Sequence, residues 1–356
     1  MKFIHMADMH FDAPFTVLNT KNNLGEKRRL EQREAFKRVI TYIKQNNIPY
    51  LFISGDLYEQ EYIRQSTIEY INNLFKEIKE TKIFITPGNH DPYLNNSYYN
   101  KYKWSDNVKI FNSEIEKIEL PEFDLYGYGF SDYYCVDSEI ENIKIQNKEK
   151  LNILITHASL DGGYDEQRNY NTLSSKKLKE IGFDYIALGH IHKCNLSEEN
   201  KNIIYPGSTV SMGFDELGSH GMIVGNLNKN DLKIEFIKLD DKEFKEINLD
   251  ISEINTIEEL IEKVNEIQLE ENNLYKIILI GKRKFEINTY KLFKMIEIKN
   301  IIKIKNKTIL DYNLEEIAND FSLKGIFAKE MLKKLNDENL DKEIVQKAIE
   351  IGMNIL

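Results

Sequence analysis

Short apolar runs alternate with longer polar stretches over the first two thirds of the chain, and this alternation predicts its elements. Runs at 2–6, 49–54, 82–86, 151–156, 184–188 and 203–205 have strand length, and each stops at a cluster of Gly, Asp, Asn, His or Pro. Two intervening segments carry apolar residues at helical spacing: Ala35, Val39, Ile40 and Ile43 in 26–46, then Ile68, Ile71, Leu74, Phe75 and Ile78 in 64–80. Strands that are apolar throughout and separated by helices predict an α/β core. The runs 221–225 and 232–239 predict an antiparallel ending. Beyond about residue 240 the pattern changes to a small α/β segment, with helices over 257–267 and 290–296 and strands over 274–280 and 301–304. Two amphipathic helices over 326–335 and 341–351 close the pattern. The expected organisation is therefore a main domain at 1–240, a small α/β cap at 241–310 and a helical tail at 311–356.

Composition narrows the class. With 41% hydrophobic and 11% aromatic residues, the 356-residue chain can bury a sizeable core. No run approaches the roughly 18 apolar residues of a membrane span, so no membrane role is expected. Two well-separated cysteines, Cys135 and Cys194, and a strand-like rather than signal-like start predict a cytoplasmic protein. A net charge of −10 argues against indiscriminate binding to phosphate backbones. Against it stands one basic segment: 282–307 holds nine Lys or Arg and two Glu, beginning with Lys282, Arg283 and Lys284, a candidate electrostatic footprint for DNA. A smaller basic run spans Lys27 to Arg38.

The histidines carry the chemistry. Five of seven fall in five clusters that each follow a predicted strand: Asp8-x-His10, Gly55-Asp56, Gly88-Asn89-His90-Asp91, Thr156-His157 and Gly189-His190-x-His192. The ends of parallel strands are where an open α/β sheet builds its sites. Asp, Asn and His together suit borderline divalent ions, and seven such ligands are too many for one tetrahedral metal but fit two metals sharing a carboxylate. A metal pair can clamp the attacking and leaving oxygens of an in-line displacement at phosphorus. The glycines beside Asp56, Asn89 and His190 are expected to permit close backbone approach or positive φ. Other residues have plainer readings: His5 as a packed, hydrogen-bonded core histidine, His220 as a turn residue and Cys194 as a small hydrophobe. Trp104 with Tyr98, Tyr99 and Tyr102 is either a base-stacking surface or loop packing.

The ordered clusters resemble the calcineurin-like metallophosphoesterases. Within that superfamily, Phe3-Ile4-His5-Met6-Ala7-Asp8-Met9-His10-Phe11-Asp12, Gly55-Asp56-Leu57-Tyr58 and Tyr205-Pro206-Gly207-Ser208 running to Gly213-Phe214-Asp215-Glu216 and Gly221 are similar to the SbcD-type DNA-repair exonucleases, YhaO-like branch. The resemblance implies a sandwich of two mixed β-sheets flanked by helices, with a small α+β cap and C-terminal helices. It implies one metal at Asp8, His10, Asp56 and His192, and a second at Asp56, Asn89, His157 and His190. His90 would then act on the leaving oxygen, with Asp91 orienting its ring. Manganese is the metal it implies, DNA the substrate of a 3′–5′ exonuclease with single-strand endonuclease activity, an SbcC-like coiled-coil ATPase the partner, and a homodimer the assembly. The metal motifs alone equally fit a phosphatase or nucleotide phosphodiesterase acting on small phosphoesters. One position departs from the pattern: many nuclease relatives carry a second His three residues after the bridging Asp, and Glu59 stands there.

Overall fold

The apolar runs become the inner strands of two sheets. The computed structural model describes residues 1–15, 24–135, 138–162, 170–197, 199–229 and 231–356, which divide into two compact units, Met1–Glu243 and Phe244–Leu356. Segments 241–310 and 311–356 thus share the second unit, apart from three residues.

In chain order, the first unit contains β1 (Lys2–Met6), α1 (Leu24–Asn46), β2 (Tyr50–Ser54), α2 (Gln65–Lys76), β3 (Lys82–Thr86), α3 (Tyr98–Lys101), β4 (Val108–Ile110), β5 (Glu116–Glu119), β6 (Phe123–Tyr128), β7 (Leu151–His157), α4 (Ser175–Ile181), β8 (Tyr185–Gly189), β9 (Ile203–Ile204), β10 (Gly221–Asn228) and β11 (Asp231–Lys238). One sheet has the order β11-β10-β1-β2-β3-β4 and the other β5-β6-β7-β8-β9. Both are mixed. β1 to β4 run parallel while β10 and β11 join antiparallel, and β6 to β9 run parallel with β5 antiparallel at the edge.

Period-two alternation assigns each strand face to a different core. From β2, Leu51 and Ile53 pack with Phe36, Val39, Ile40, Ile71 and Phe75 of α1 and α2. From the same strand, Tyr50 and Phe52 join Phe3, Phe84, Phe123, Ile153, Ile155 and Tyr185 between the sheets. The outer face of the second sheet, with Leu154, Ile186 and Leu188, packs on Leu178 and Phe183. The sandwich expected from the resemblance is therefore the one observed. β6 escaped the sequence reading because its apolar run FDLYGY is broken by Asp124. That carboxylate is buried yet ion-paired with Lys117 and Lys150, which is what lets it sit in an inner strand.

The second unit holds β12 (Phe244–Asp250), α5 (Ile257–Asn265), β13 (Leu274–Ile280), β14 (Lys282–Arg283), α6 (Thr289–Met295), β15 (Ile301–Asn306), β16 (Ile309–Leu310), α7 (Leu314–Ile317), α8 (Leu323–Leu335) and α9 (Lys342–Ile355). β12, β13 and β15 form a parallel sheet whose apolar face packs on Leu260 and Val264 of α5 and Leu292 of α6. α8 and α9 pack together through Ala328, Val345 and Ile349.

The two sheets of the first unit come close together at the C-terminal ends of β2 and β8. A Cβ on Gly189 would lie 1.8 Å from the Ser54 carbonyl oxygen, closer than atoms can sit. Gly189→Ala should therefore force the sheets apart and destabilise the protein by about 2 kcal/mol, read as a lowered urea midpoint with an unchanged slope.

Candidate metal centre

The strand ends bring the predicted residues together by bending sharply. Asp8, His10, Asp56 and His190 all take left-handed backbone angles, with φ of 52°, 47°, 51° and 104°. Such conformations cost on the order of 1–3 kcal/mol each and persist only where the surroundings enforce them. Here cross-links between strand ends do so: the Asp8 N–H donates to the Gly55 carbonyl and the His10 N–H to the Asp56 carbonyl. Gly55 itself has φ +88°, and a Cβ there would meet the His157 ring at 2.3 Å.

Asp56 lies at the centre, 1% exposed. Its Oδ2 is 3.3 Å from His157 Nε2 and 3.7 Å from His10 Nε2, and its Oδ1 accepts from the His90 backbone N–H at 2.8 Å. His10 Nε2 and His192 Nε2 face one another at 3.1 Å, with Asp8 Oδ1 4.0 Å from the latter. On the other side His157 Nε2 is 3.0 Å from Asn89 Oδ1. His190 stands beside this group, its ring 5.2 Å from that of His157 and its backbone N–H donating to Asp8. Three groups able to hold a cation follow: Asp8, His10 and His192; His10, Asp56 and His90; Asp8, Asp56 and His157.

The orientation of the imidazoles tests whether metal fits. The Nδ1 atom of His10 donates to Glu59 at 2.7 Å, that of His192 to Glu216 at 2.6 Å, and that of His157 to the Ser54 carbonyl at 2.9 Å. With Nδ1 carrying the proton, each Nε2 lone pair points inward toward other lone pairs and carboxylate oxygens. That arrangement is repulsive without a cation and matches how metal-bound histidines are held. Glu216 was not singled out for this role in the sequence; it also accepts from Ser208 and the Met212 N–H. His220, read as a turn residue, is instead buried and bonded to Ser208 and the Glu216 carbonyl, bracing the same loop.

Electrostatics describe a site built for positive charge. Burial opposes ionisation of Asp56, yet the neighbouring His157 holds its carboxyl well below the usual range. Burial also opposes the charged forms of His157 and His192, but Asp56 raises the first to about 9 and Glu216 raises the second to about 9. His190, held down to about 3 by burial and by His157, stays neutral.

Around His90 the contacts correct one expectation. Asp91 does not orient the His90 ring. Its carboxylate accepts from the backbone N–H groups of Asp56, Leu57 and Gly88 and from Tyr99 Oη, and so clamps two strand-end loops together. The His90 ring partner is Glu59, whose Oε2 is 3.0 Å from Nδ1 while Oε1 binds His10. Burial lowers the His90 pKa, but Asp56 and Glu59 outweigh it and bring it to about 10.

Elsewhere the site residues expected from sequence meet other fates. Arg283 is 5% exposed and ion-paired with Glu350, Lys282 pairs with Asp311, and Lys284 donates to Asn255, so the three do not form one free basic face. Arg28 of the smaller basic run is buried against Asp240. Tyr98, Tyr99, Tyr102 and Trp104 pack on the helix-side core, leaving the packing alternative. His5 bonds Tyr185 and Ser54 inside the core, and Cys194 packs as a partly buried hydrophobe between the sheets.

Because metal must displace protons from His157 and His192, whose folded pKa values lie above the ordinary value, divalent-ion affinity should climb steadily from pH 6 to about 9. Calorimetry in buffers of different ionisation enthalpy should show proton release on binding near neutral pH.

A calcineurin-like phosphoesterase model matches residues 1–194. The uncharacterized metallophosphoesterase YhaO of Bacillus subtilis is 24% identical over 278 residues, covering 75% of this chain and 67% of that protein. The uncharacterized protein R555 of Acanthamoeba polyphaga mimivirus is 26% identical over 79% of this chain, which spans only 22% of that protein's length. The DNA double-strand break repair protein Mre11 of Methanocaldococcus jannaschii is 26% identical over 367 residues, covering 97% of this chain and 93% of that protein. Among the described residues, no helix is long and apolar enough to cross a membrane.

Proposed function

The chain belongs to the calcineurin-like phosphoesterase family, a metal-dependent class, and on that premise we propose that it is a two-metal phosphodiesterase cutting DNA. In this reading it is a manganese-dependent 3′–5′ exonuclease with single-strand endonuclease activity, acting in DNA repair or recombination beside an SbcC-like coiled-coil ATPase, as a cytoplasmic homodimer. The observation that carries the reading is the inward convergence of the His10, His157 and His192 Nε2 atoms around Asp56, with His90 beside them. Near full-length similarity to Mre11 supports DNA as the substrate.

Asp8, His10, Asp56 and His192 would hold one metal, and Asp56, Asn89, His157 and His190 the other. Bound there, two divalent ions would neutralise charge that builds on the phosphorus oxygens during in-line displacement. The Glu59 carboxylate accepts a hydrogen bond from His90 Nδ1–H and keeps the ring protonated, so that the Nε2–H proton can pass to the leaving oxygen. Asp91 holds the loop that carries both Asn89 and His90. A second reading, a phosphatase for small phosphoesters, is favoured by Glu59 standing where many nuclease relatives carry a histidine.

End-labelled duplex and single-stranded DNA, incubated with Mn²⁺, Mg²⁺ or chelator and with or without a coexpressed ATPase, separate the readings; hydrolysis of a small aryl phosphate but not of DNA would decide for the phosphatase. His90→Ala should lower DNA hydrolysis by roughly a hundredfold or more with metal stoichiometry intact. Glu59→Gln removes the charge that keeps His90 protonated. The acid form is then lost at lower pH, so the alkaline limb of the rate profile should move to lower pH.

A further inference from the structure

We propose that Tyr62 and Tyr134 are specificity-determining residues that clamp an unstacked nucleobase of the substrate in the cavity beside His90. This rests on the phosphoesterase reading of the centre and names what lies next to the phosphate.

The cavity has a volume of about 510 Å³, and its lining includes Asn89, His90, Tyr62, Tyr133, Tyr134 and Tyr170. That size suits a small ligand. The rings come from both sheets: Tyr62 follows β2, whereas Tyr133 and Tyr134 follow β6 and Tyr170 follows β7. They share one cleft, since the Tyr133 hydroxyl, raised by burial, also feels the Glu61 carboxylate from the opposite sheet's loop. Tyr170 lies against the His190 ring at 4.8 Å, and Tyr134 extends the aromatic surface outward at 6.2 Å from Tyr170. Tyr62 is 51% and Tyr134 56% exposed, large rings left facing solvent at the rim. Core tyrosines such as Tyr99 are by contrast buried.

Two carboxylates, Glu59 and Glu61, also line the cavity. They disfavour further negative charge there, so the group beside the scissile phosphate should be neutral, flat and apolar on its faces. A nucleobase meets all three conditions, and stacking on an aromatic side chain contributes about 1–3 kcal/mol per base whatever its identity. A base inside a duplex is already stacked on its neighbours, so the clamp favours ends and single strands.

Calorimetric titration of the protein in Mn²⁺ with thymidine 5′-monophosphate, 2-deoxyribose 5-phosphate and phenyl phosphate tests the clamp apart from hydrolysis. The nucleotide should bind about tenfold tighter than the sugar phosphate. The Tyr62→Ala/Tyr134→Ala pair should abolish that ratio, and the Tyr62→Phe/Tyr134→Phe pair should keep it. Equal wild-type affinity for nucleotide and sugar phosphate overturns the proposal, as does a ratio that survives the alanine pair or phenyl phosphate binding as well as the nucleotide. The wild-type comparison decides by itself if the alanine pair does not fold. Failure to cut DNA with the ratio intact would remove the nuclease reading and leave the clamp standing.

Discussion

A single buried carboxylate sets the terms for the first unit. Asp56 is all but excluded from water, and an isolated carboxylate in such a place would neutralise by taking up a proton. It stays charged because His157 and His10 point their Nε2 atoms toward it and the His90 backbone donates to it. Those partners come from three different strand ends, those of β1, β3 and β7, in two sheets. The sandwich must therefore close tightly enough to bring β2 and β8 to the contact that only Gly189 allows. Packing, backbone strain and charge are consequences of one requirement, that cationic or cation-binding groups surround this oxygen.

A second layer of acids surrounds the first layer of imidazoles. Glu59 serves His10 and His90, Glu216 serves His192, and the Ser54 carbonyl serves His157. Each bond fixes a tautomer as well as a ring plane, so the inward lone pairs are set before any ligand arrives. The same layer explains why protons and metal compete: imidazoles between carboxylates are basic, and whichever cation is present satisfies them. The protein's formal charge of −10 says little about this local balance.

The elements whose pattern is local were legible in the sequence. Inner strands of parallel sheets are apolar on both faces, so β1, β2, β3, β7 and β8 appeared as runs, and each ended at a cluster bearing Asp, Asn or His. β6 did not, because the partners that compensate Asp124 lie in other elements. Arg283 read as a free cation for a related reason: its neighbours in sequence are basic, while Glu350, which neutralises it, is far along the chain. The tyrosines followed the same rule. For those at 98–102 the sequence left stacking and packing both open, and they pack inward, whereas Tyr62 and Tyr134 are brought to one cleft only by the fold.

The sequence by itself determined the fold class and which clusters of Asp, Asn and His follow the inner strands, because strand periodicity and residue type are properties of short segments. Tertiary structure alone decided the pairings: that Glu59 rather than Asp91 holds the His90 ring, that Glu216 and His220 brace His192, and that Asp91 ties loops together. Hydrogen bonds and charge compensation act over about 3 Å in space and are indifferent to separation along the chain. No local pattern can encode them, and they are what turn a set of suitable residues into a site.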